Sequence, residues 1–171
     1  MATYKAEFLS HYYEGRLRPR HAYAMGLIDR WARLASVAPG LANVFTQTPG
    51  LSAVSKWLGG IAQKRRMPPF ACETFKDWFF RRPPRNPRGR PVVLWADTFT
   101  NYFKPERGKA AIAVLEDSGC QVFVPREHLC CGRPLYDFGM LDTARAYLTR
   151  ILRALQPVIE AGVPVIGLEP S

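Results

Sequence analysis

The sequence lacks the features that mark membrane-spanning and secreted proteins. No apolar run approaches the roughly 18 residues of a spanning helix, and the N-terminal stretch has neither the apolar core nor the cleavage site of a signal peptide. Only four cysteines occur in 171 residues and two of them are adjacent, which is untypical of a secreted disulfide scaffold. These absences predict a cytoplasmic protein, with peripheral contact to the inner face of the membrane left open.

Acidic residues are scarce in the first half of the chain. Residues 1–90 contain 16 Lys and Arg against 5 Asp and Glu, whereas residues 91–171 contain 8 against 9, so the net charge of +10 belongs to the first half. No recognisable nucleic-acid motif accompanies these charges, and we expect no nucleic-acid partner. Docking to an acidic domain or to an anionic membrane surface is the favoured interpretation.

The periodicity of apolar residues changes near residue 90. Residues 1–80 are predicted to be helical, with one helix from about His21 to Ser36, and with aromatics at 75, 78 and 79 that we expect to contact another domain. Residues 81–91, with four prolines and a glycine, are predicted to be a linker. Residues 92–171 alternate strands (92–96, 121–124, 164–168) with helices (105–118 and a long helix with Leu148, Leu152 and Leu155 on one face). The sequence therefore predicts an α/β fold: a helical N-terminal segment, then a three-layer half with a short parallel βαβαβ sheet.

Cys130 and Cys131 are the most informative pair in the sequence. Adjacent cysteines cannot close a strain-free disulfide with each other. Two neighbouring thiolates followed by Gly132, which lets the backbone approach closely, suit a metal or a cluster. Burial as small apolar side chains and thiol redox chemistry with another partner remain open alternatives.

The predicted topology brings further ligand-type side chains towards this pair. Asp97 follows the first strand, Cys130 and Cys131 follow the second, and Glu169 follows the third. Because the carboxyl ends of parallel strands share one edge of a sheet, these residues are expected to converge there. The turn after the first strand is not glycine-rich, which argues against a dinucleotide site.

Four segments together resemble a known family: residues 94–103 (LWADTFTNYF), 122–125 (VFVP), 130–134 (CCGRP) and 167–171 (GLEPS). They look like the cysteine-rich CCG domain of heterodisulfide reductase B subunits, glycolate oxidase iron–sulfur subunits and anaerobic glycerol-3-phosphate dehydrogenase C subunits. The domain also ends fused proteins that join an FAD-linked oxidase domain and a ferredoxin-type domain. Residues 1–80 look like the helical connection in those fused proteins.

The resemblance implies ligand roles position by position. Cys130 and Cys131 match the central cysteine pair of the family, whereas Asp97 and Glu169 stand where the family has cysteines. Carboxylates can bind iron or zinc, so all four residues are candidate metal ligands. The resemblance also implies that the chain is a fragment. An iron–sulfur cluster would then belong to the parent protein and be absent from the isolated chain, and FAD would lie in a domain outside this chain.

Three functional hypotheses follow. The first is the electron-transfer portion of an FAD-dependent oxidoreductase for a 2-hydroxy acid such as D-lactate or glycolate, inactive alone, with the flavin and ferredoxin-type domains of the parent and an electron acceptor as partners. The second is a thiol redox or binding module, in which Arg126 and Arg133 favour the thiolate form of a cysteine. The third is a non-catalytic docking domain that uses Arg81, Arg82 and Arg85.

Overall fold

The computed structural model describes residues 2–168, which form ten helices and three strands. In chain order the elements are α1 (Ala2–Tyr12), α2 (Arg20–Gly26), α3 (Ile28–Ala35), α4 (Pro39–Gln47), α5 (Leu51–Leu58), α6 (Phe75–Arg81), β1 (Arg90–Trp95), α7 (Thr98–Tyr102), α8 (Pro105–Asp117), β2 (Cys120–Phe123), α9 (Arg133–Asp137), α10 (Leu141–Glu160) and β3 (Val165–Gly167). Among these residues no helix combines the length and the apolar character that a membrane crossing requires.

The chain divides into two compact units. The first, the helical unit, contains residues 1–72 and 131–148, and the second, the sheet unit, contains residues 73–130 and 149–171. The division therefore falls between Cys130 and Cys131 and within α10. The domain organisation inferred from composition, with residues 1–80, 81–91 and 92–171 as separate parts, stays a prediction.

The sheet unit is built on three parallel strands in the order β2–β1–β3. Alternate residues of β1 point to opposite faces. Val92 and Leu94 pack with Phe75 and Ile112 on one face, and Val93 packs with the α10 residues Ile151 and Leu155 on the other. The central strand is therefore buried on both sides, which explains its continuous apolar sequence. The predicted three-layer α/β arrangement is confirmed.

The aromatic cluster of α6 belongs to this core. Phe75 is fully buried, and Trp78 and Phe79 pack against the same cluster. These side chains were expected to contact another domain, and Phe75 does pack against residues of the 92–171 part, although the two belong to one compact unit rather than to separate domains. Composition alone does not distinguish an aromatic segment that covers its own sheet from one that meets a partner.

The helical unit has small residues at its tightly packed positions. Ala6, Ala22 and Ala32 are each at most 2% exposed. The Arg18 guanidinium donates hydrogen bonds to the carbonyl oxygens of Phe138 and Gly139, at 3.2 and 2.8 Å, which ties the N-terminal helices to α9 within this unit. Many larger apolar side chains of α4 and α5 are instead exposed.

The helices of the first half differ from the prediction in two places. The single helix expected over 21–36 is two helices, which meet at Leu27 (φ −97°, ψ 23°). The break follows Gly26, a residue of low helix propensity. The helix α4, which was not predicted as a separate helix, begins at Pro39, whose fixed φ suits a first helical position.

The long helix α10 buries only part of the expected face: Leu155 is buried as predicted, but Leu148 and Leu152 are not. Its buried residues are Tyr147, Ile151 and Leu155, whereas Leu148 and Leu152 are 53% and 58% exposed. Two adjacent apolar stripes run along this helix. The spacing of about 3.6 residues per turn fits both equally well, so periodicity could not choose between them.

Candidate functional site

The cysteine pair lies in the irregular segment between β2 and α9, beyond the carboxyl end of β2. Cys130 is buried, with 7% of its surface exposed, and Cys131 is half-buried. The backbone N–H of Arg133 donates a hydrogen bond to Sγ of Cys131 at 3.5 Å. Such N–H to sulfur bonds stabilise thiolate and are common around sulfur ligands of metals. The pair thus follows β2 in the chain, and its convergence with Asp97 and Glu169 stays a prediction.

Gly132 has a structural reason to follow the pair. Its φ of +73° lies in the left-handed region, where residues with a Cβ are strained, and it is the residue before α9. A Cβ at this position would also meet Tyr147 Cβ at 3.4 Å and Ala144 O at 3.5 Å. The glycine thus lets the chain turn directly from the two cysteines into a helix that begins with Arg133 and Pro134.

Asp97 lies beyond the carboxyl end of β1, as expected, and acts as a helix cap. Its Oδ1 accepts a hydrogen bond from the backbone N–H of Thr100 at 2.7 Å, which satisfies one of the unpaired amides at the start of α7. This role accounts for an aspartate at the position through local structure alone. Glu169, the fourth candidate ligand, lies outside the described residues.

Residues 2–168 do not by themselves provide a complete metal site. Within that range no group of three or more His, Cys, Asp or Glu side chains is arranged to hold a metal ion. Cys130 and Cys131 are a partial donor set of the right chemistry for iron, which prefers thiolate ligands in clusters.

Three side chains that sequence reasoning missed contact the residues just before Cys130. The Lys76 ammonium donates a hydrogen bond to the carbonyl oxygen of Glu127, and the Tyr102 hydroxyl is hydrogen-bonded to Nδ1 of His128 at 2.9 Å. The indole N–H of Trp95 donates to the carbonyl oxygen of Leu129 at 3.1 Å. A signal in the sequence was Lys76, one of two charged residues within the aromatic segment at 75–80, because a charged residue that is buried needs a hydrogen-bond partner.

The fold and these contacts define a class of protein: a parallel α/β unit in which the segment after β2 leads to a buried cysteine, Cys130, which a second cysteine follows directly in the sequence. Residues 96–165 match the family model described as CCG: Cysteine-rich domain, about two fifths of the chain. The resemblance stated above from the sequence motifs is thereby confirmed for this region.

The chain is also similar to curated proteins. It is 34% identical over 65 residues to Lactate utilization protein A of Bacillus velezensis, which covers 38% of this chain and 27% of the relative. It is 28% identical over 139 residues to the C subunit of the anaerobic glycerol-3-phosphate dehydrogenase of Escherichia coli K12, which covers 78% of this chain and 35% of the relative. The alignments therefore span about a quarter to a third of these relatives. No solved structure matches.

Proposed function

We propose that this chain is part of an iron–sulfur electron-transfer module of an oxidoreductase, in which Cys130 and Cys131 are thiolate ligands of the cluster. The observation that carries the proposal is the CCG match over residues 96–165, which contains the thiol pair. The position of the pair beyond the carboxyl end of β2, and the Arg133 N–H directed at Sγ of Cys131, support it. A bound cluster would accept and release single electrons.

Asp97 and Glu169 are proposed to have different roles at the cluster. Asp97 Oδ1 is engaged by the Thr100 amide, so the carboxylate is proposed to bind the cluster only through its second oxygen or to support the site as a cap. Glu169 is proposed as an oxygen ligand.

The substrate proposal is a 2-hydroxy acid such as D-lactate or glycolate. It is supported by the relatives named for lactate utilisation, which include proteins of Bacillus velezensis and Bacillus subtilis. In this scheme an FAD-containing domain outside the chain takes the hydride, and the cluster passes electrons on to a ferredoxin-type domain or another acceptor. A reducing, cytoplasmic setting, with peripheral membrane contact where the acceptor lies, completes the proposal.

The test is iron and acid-labile sulfide analysis of a chain extended at both ends and prepared without oxygen. We expect a visible absorption band and an electron paramagnetic resonance signal after reduction. Both should decrease in Cys130→Ser and Cys131→Ser and persist in Cys72→Ser, the matched control at an exposed cysteine. Iron-free protein, or equal iron content in all three variants, would overturn the proposal.

A thiol redox module is the second candidate, and one observation favours it. Cys131 is half-buried rather than fully enclosed and receives the Arg133 N–H at its sulfur, so the sulfur is partly accessible and hydrogen-bonded. A mixed disulfide formed selectively at Cys131 with oxidised glutathione, in protein that binds no iron, would favour this candidate over the first.

A further inference from the structure

The three residues that precede Cys130 are each contacted by a side chain from a different part of the sheet unit. Lys76 on α6 contacts the Glu127 carbonyl, Tyr102 on α7 contacts the His128 ring, and Trp95 at the end of β1 contacts the Leu129 carbonyl. We refer to Lys76, Trp95 and Tyr102 as the loop anchors. Three consecutive anchored residues in an irregular segment leave the backbone at Cys130 little freedom.

Lys76 is the most informative of the loop anchors because it is a buried cation. It is 7% exposed, and lysine is among the residue types least often found buried. Its backbone N–H donates to Asn101 Oδ1 at 3.0 Å, and α6 is capped by Thr74, which accepts from the Asp77 amide at 3.1 Å. The start of α6 is thereby fixed, so that the ammonium reaches the Glu127 carbonyl.

The anchored segment runs from surface to interior. Glu127 and His128 are exposed, whereas Leu129 and Cys130 are 4% and 7% exposed. Leu129 packs in the core cluster with Val93, Ile151 and Leu155. The loop anchors therefore act at the point where the chain enters the core of the sheet unit, directly before the buried thiol.

We propose that Lys76, Trp95 and Tyr102 are positioning residues that fix the backbone at Glu127 and Leu129 and the side chain of His128, and so hold the Cys130 thiol in one buried orientation at the carboxyl edge of the sheet. The proposal rests on the proposed function only in treating Cys130 as the functional thiol. A ligand held in place before the metal arrives loses little conformational freedom on binding, which favours affinity.

The experiment measures the alkylation rate of each cysteine by iodoacetamide in the metal-free 171-residue chain, resolved by peptide mass spectrometry. The variants are Lys76→Met, which keeps the aliphatic stem, and Tyr102→Phe, which removes only the hydroxyl. Each should raise the Cys130 rate about tenfold, the effect of losing one hydrogen bond of ordinary strength from the closed loop. Lys76→Arg should restore a rate close to that of the original chain.

The internal controls are Cys72, which is exposed, and Cys120, which is half-buried in β2. Their rates should stay unchanged, because a local opening of residues 127–130 does not expose the sheet. Lys109→Met is the matched control variant: Lys109 pairs with Glu73 at 3.3 Å in the same unit, and its loss should leave the Cys130 rate unchanged.

A Cys130 rate that is unchanged in both variants would overturn the proposal. An equal increase at Cys120 would also overturn it, because that pattern marks a general loss of stability of the sheet unit. The alkylation rates are measured on metal-free protein, so their outcome is separable from the iron analysis. If the Cys130 rate responds as expected in a protein that never binds iron, the proposed function is rejected and the positioning role stands.

Discussion

At the scale of single residues, Asp97 has two candidate roles that a pair of substitutions can separate. The carboxylate caps α7 through the Thr100 amide, and it is also a proposed ligand. Asp97→Ala should lower the free energy of unfolding by about 1 kcal/mol, because the capping acceptor is lost. Asp97→Asn should have a much smaller effect, because the amide oxygen still accepts from Thr100. Urea denaturation followed by circular dichroism measures both changes.

The same two variants bear on metal binding in a different way. Both remove the carboxylate charge, so a ligand role predicts that both reduce iron content in the extended chain. If Asp97→Asn retains full iron content while Asp97→Ala loses stability, the residue is a cap alone. Equal stability of both variants would contradict the capping role.

The arginines grouped in the docking hypothesis have unequal roles. Arg82 donates to both carboxylate oxygens of Glu116, at 2.9 and 2.6 Å, and its guanidinium lies over the Trp78 and Phe79 rings. The Arg82 and Glu116 side chains are only 18% and 4% exposed, so their pairing belongs to the interior of the sheet unit. A docking test should therefore replace Arg81 and Arg85, which are exposed, and leave Arg82 in place.

At the scale of secondary-structure elements, the contact between α6 and α8 depends on a glycine. A Cβ built on Gly108 would lie 2.5 to 2.9 Å from ring carbons of Phe75, whose ring is fully buried. We expect Gly108→Ala to lower the free energy of unfolding by about 1–3 kcal/mol through overpacking, although alanine ordinarily favours a helix. Thermal unfolding followed by circular dichroism measures the change.

Gly40 in α4 is the control for that substitution. A Cβ there meets nothing within 4 Å, so Gly40→Ala should leave stability unchanged or raise it by up to about 1 kcal/mol. If Gly108→Ala raised the stability as Gly40→Ala is expected to, the Phe75 ring would have to move aside readily. That result would contradict the tight contact between Gly108 and Phe75.

The strands were predictable because each is a short segment rich in apolar and β-branched residues, although only β1 is buried over several consecutive residues. The expected strands at 92–96, 121–124 and 164–168 correspond to Arg90–Trp95, Cys120–Phe123 and Val165–Gly167, within two residues at each end. The short helices α7 and α9 were missed, because five residues do not display a helical period. The loop anchors were also missed, since Lys76 and Glu127 meet only after the chain has folded.

At the scale of the whole molecule, charge and apolar exposure are concentrated in the helical unit. Residues 1–72 carry 10 Lys and Arg against 3 Asp and Glu. The helices α4 and α5 expose a set of large apolar side chains on their surfaces: Leu41, Val44, Phe45, Leu51, Val54, Trp57 and Leu58. Exposed apolar groups favour association, whereas a net charge of +10 opposes association between copies of the same chain.

These opposing effects predict a salt-dependent self-association of the isolated chain. Added salt screens the repulsion between positive copies but leaves apolar contact intact, so the associated fraction should rise with ionic strength. Val54→Gln with Leu58→Gln removes two side chains that are 55% and 58% exposed on α5, and should reduce association at high salt. The control is Val114→Gln on α8 in the sheet unit, at a residue that is 66% exposed. This substitution should leave association at high salt unchanged. Sedimentation velocity at low and high salt measures all three chains. A chain that stays monomeric at both, or an equal effect of Val114→Gln, would contradict the assignment of association to α4 and α5.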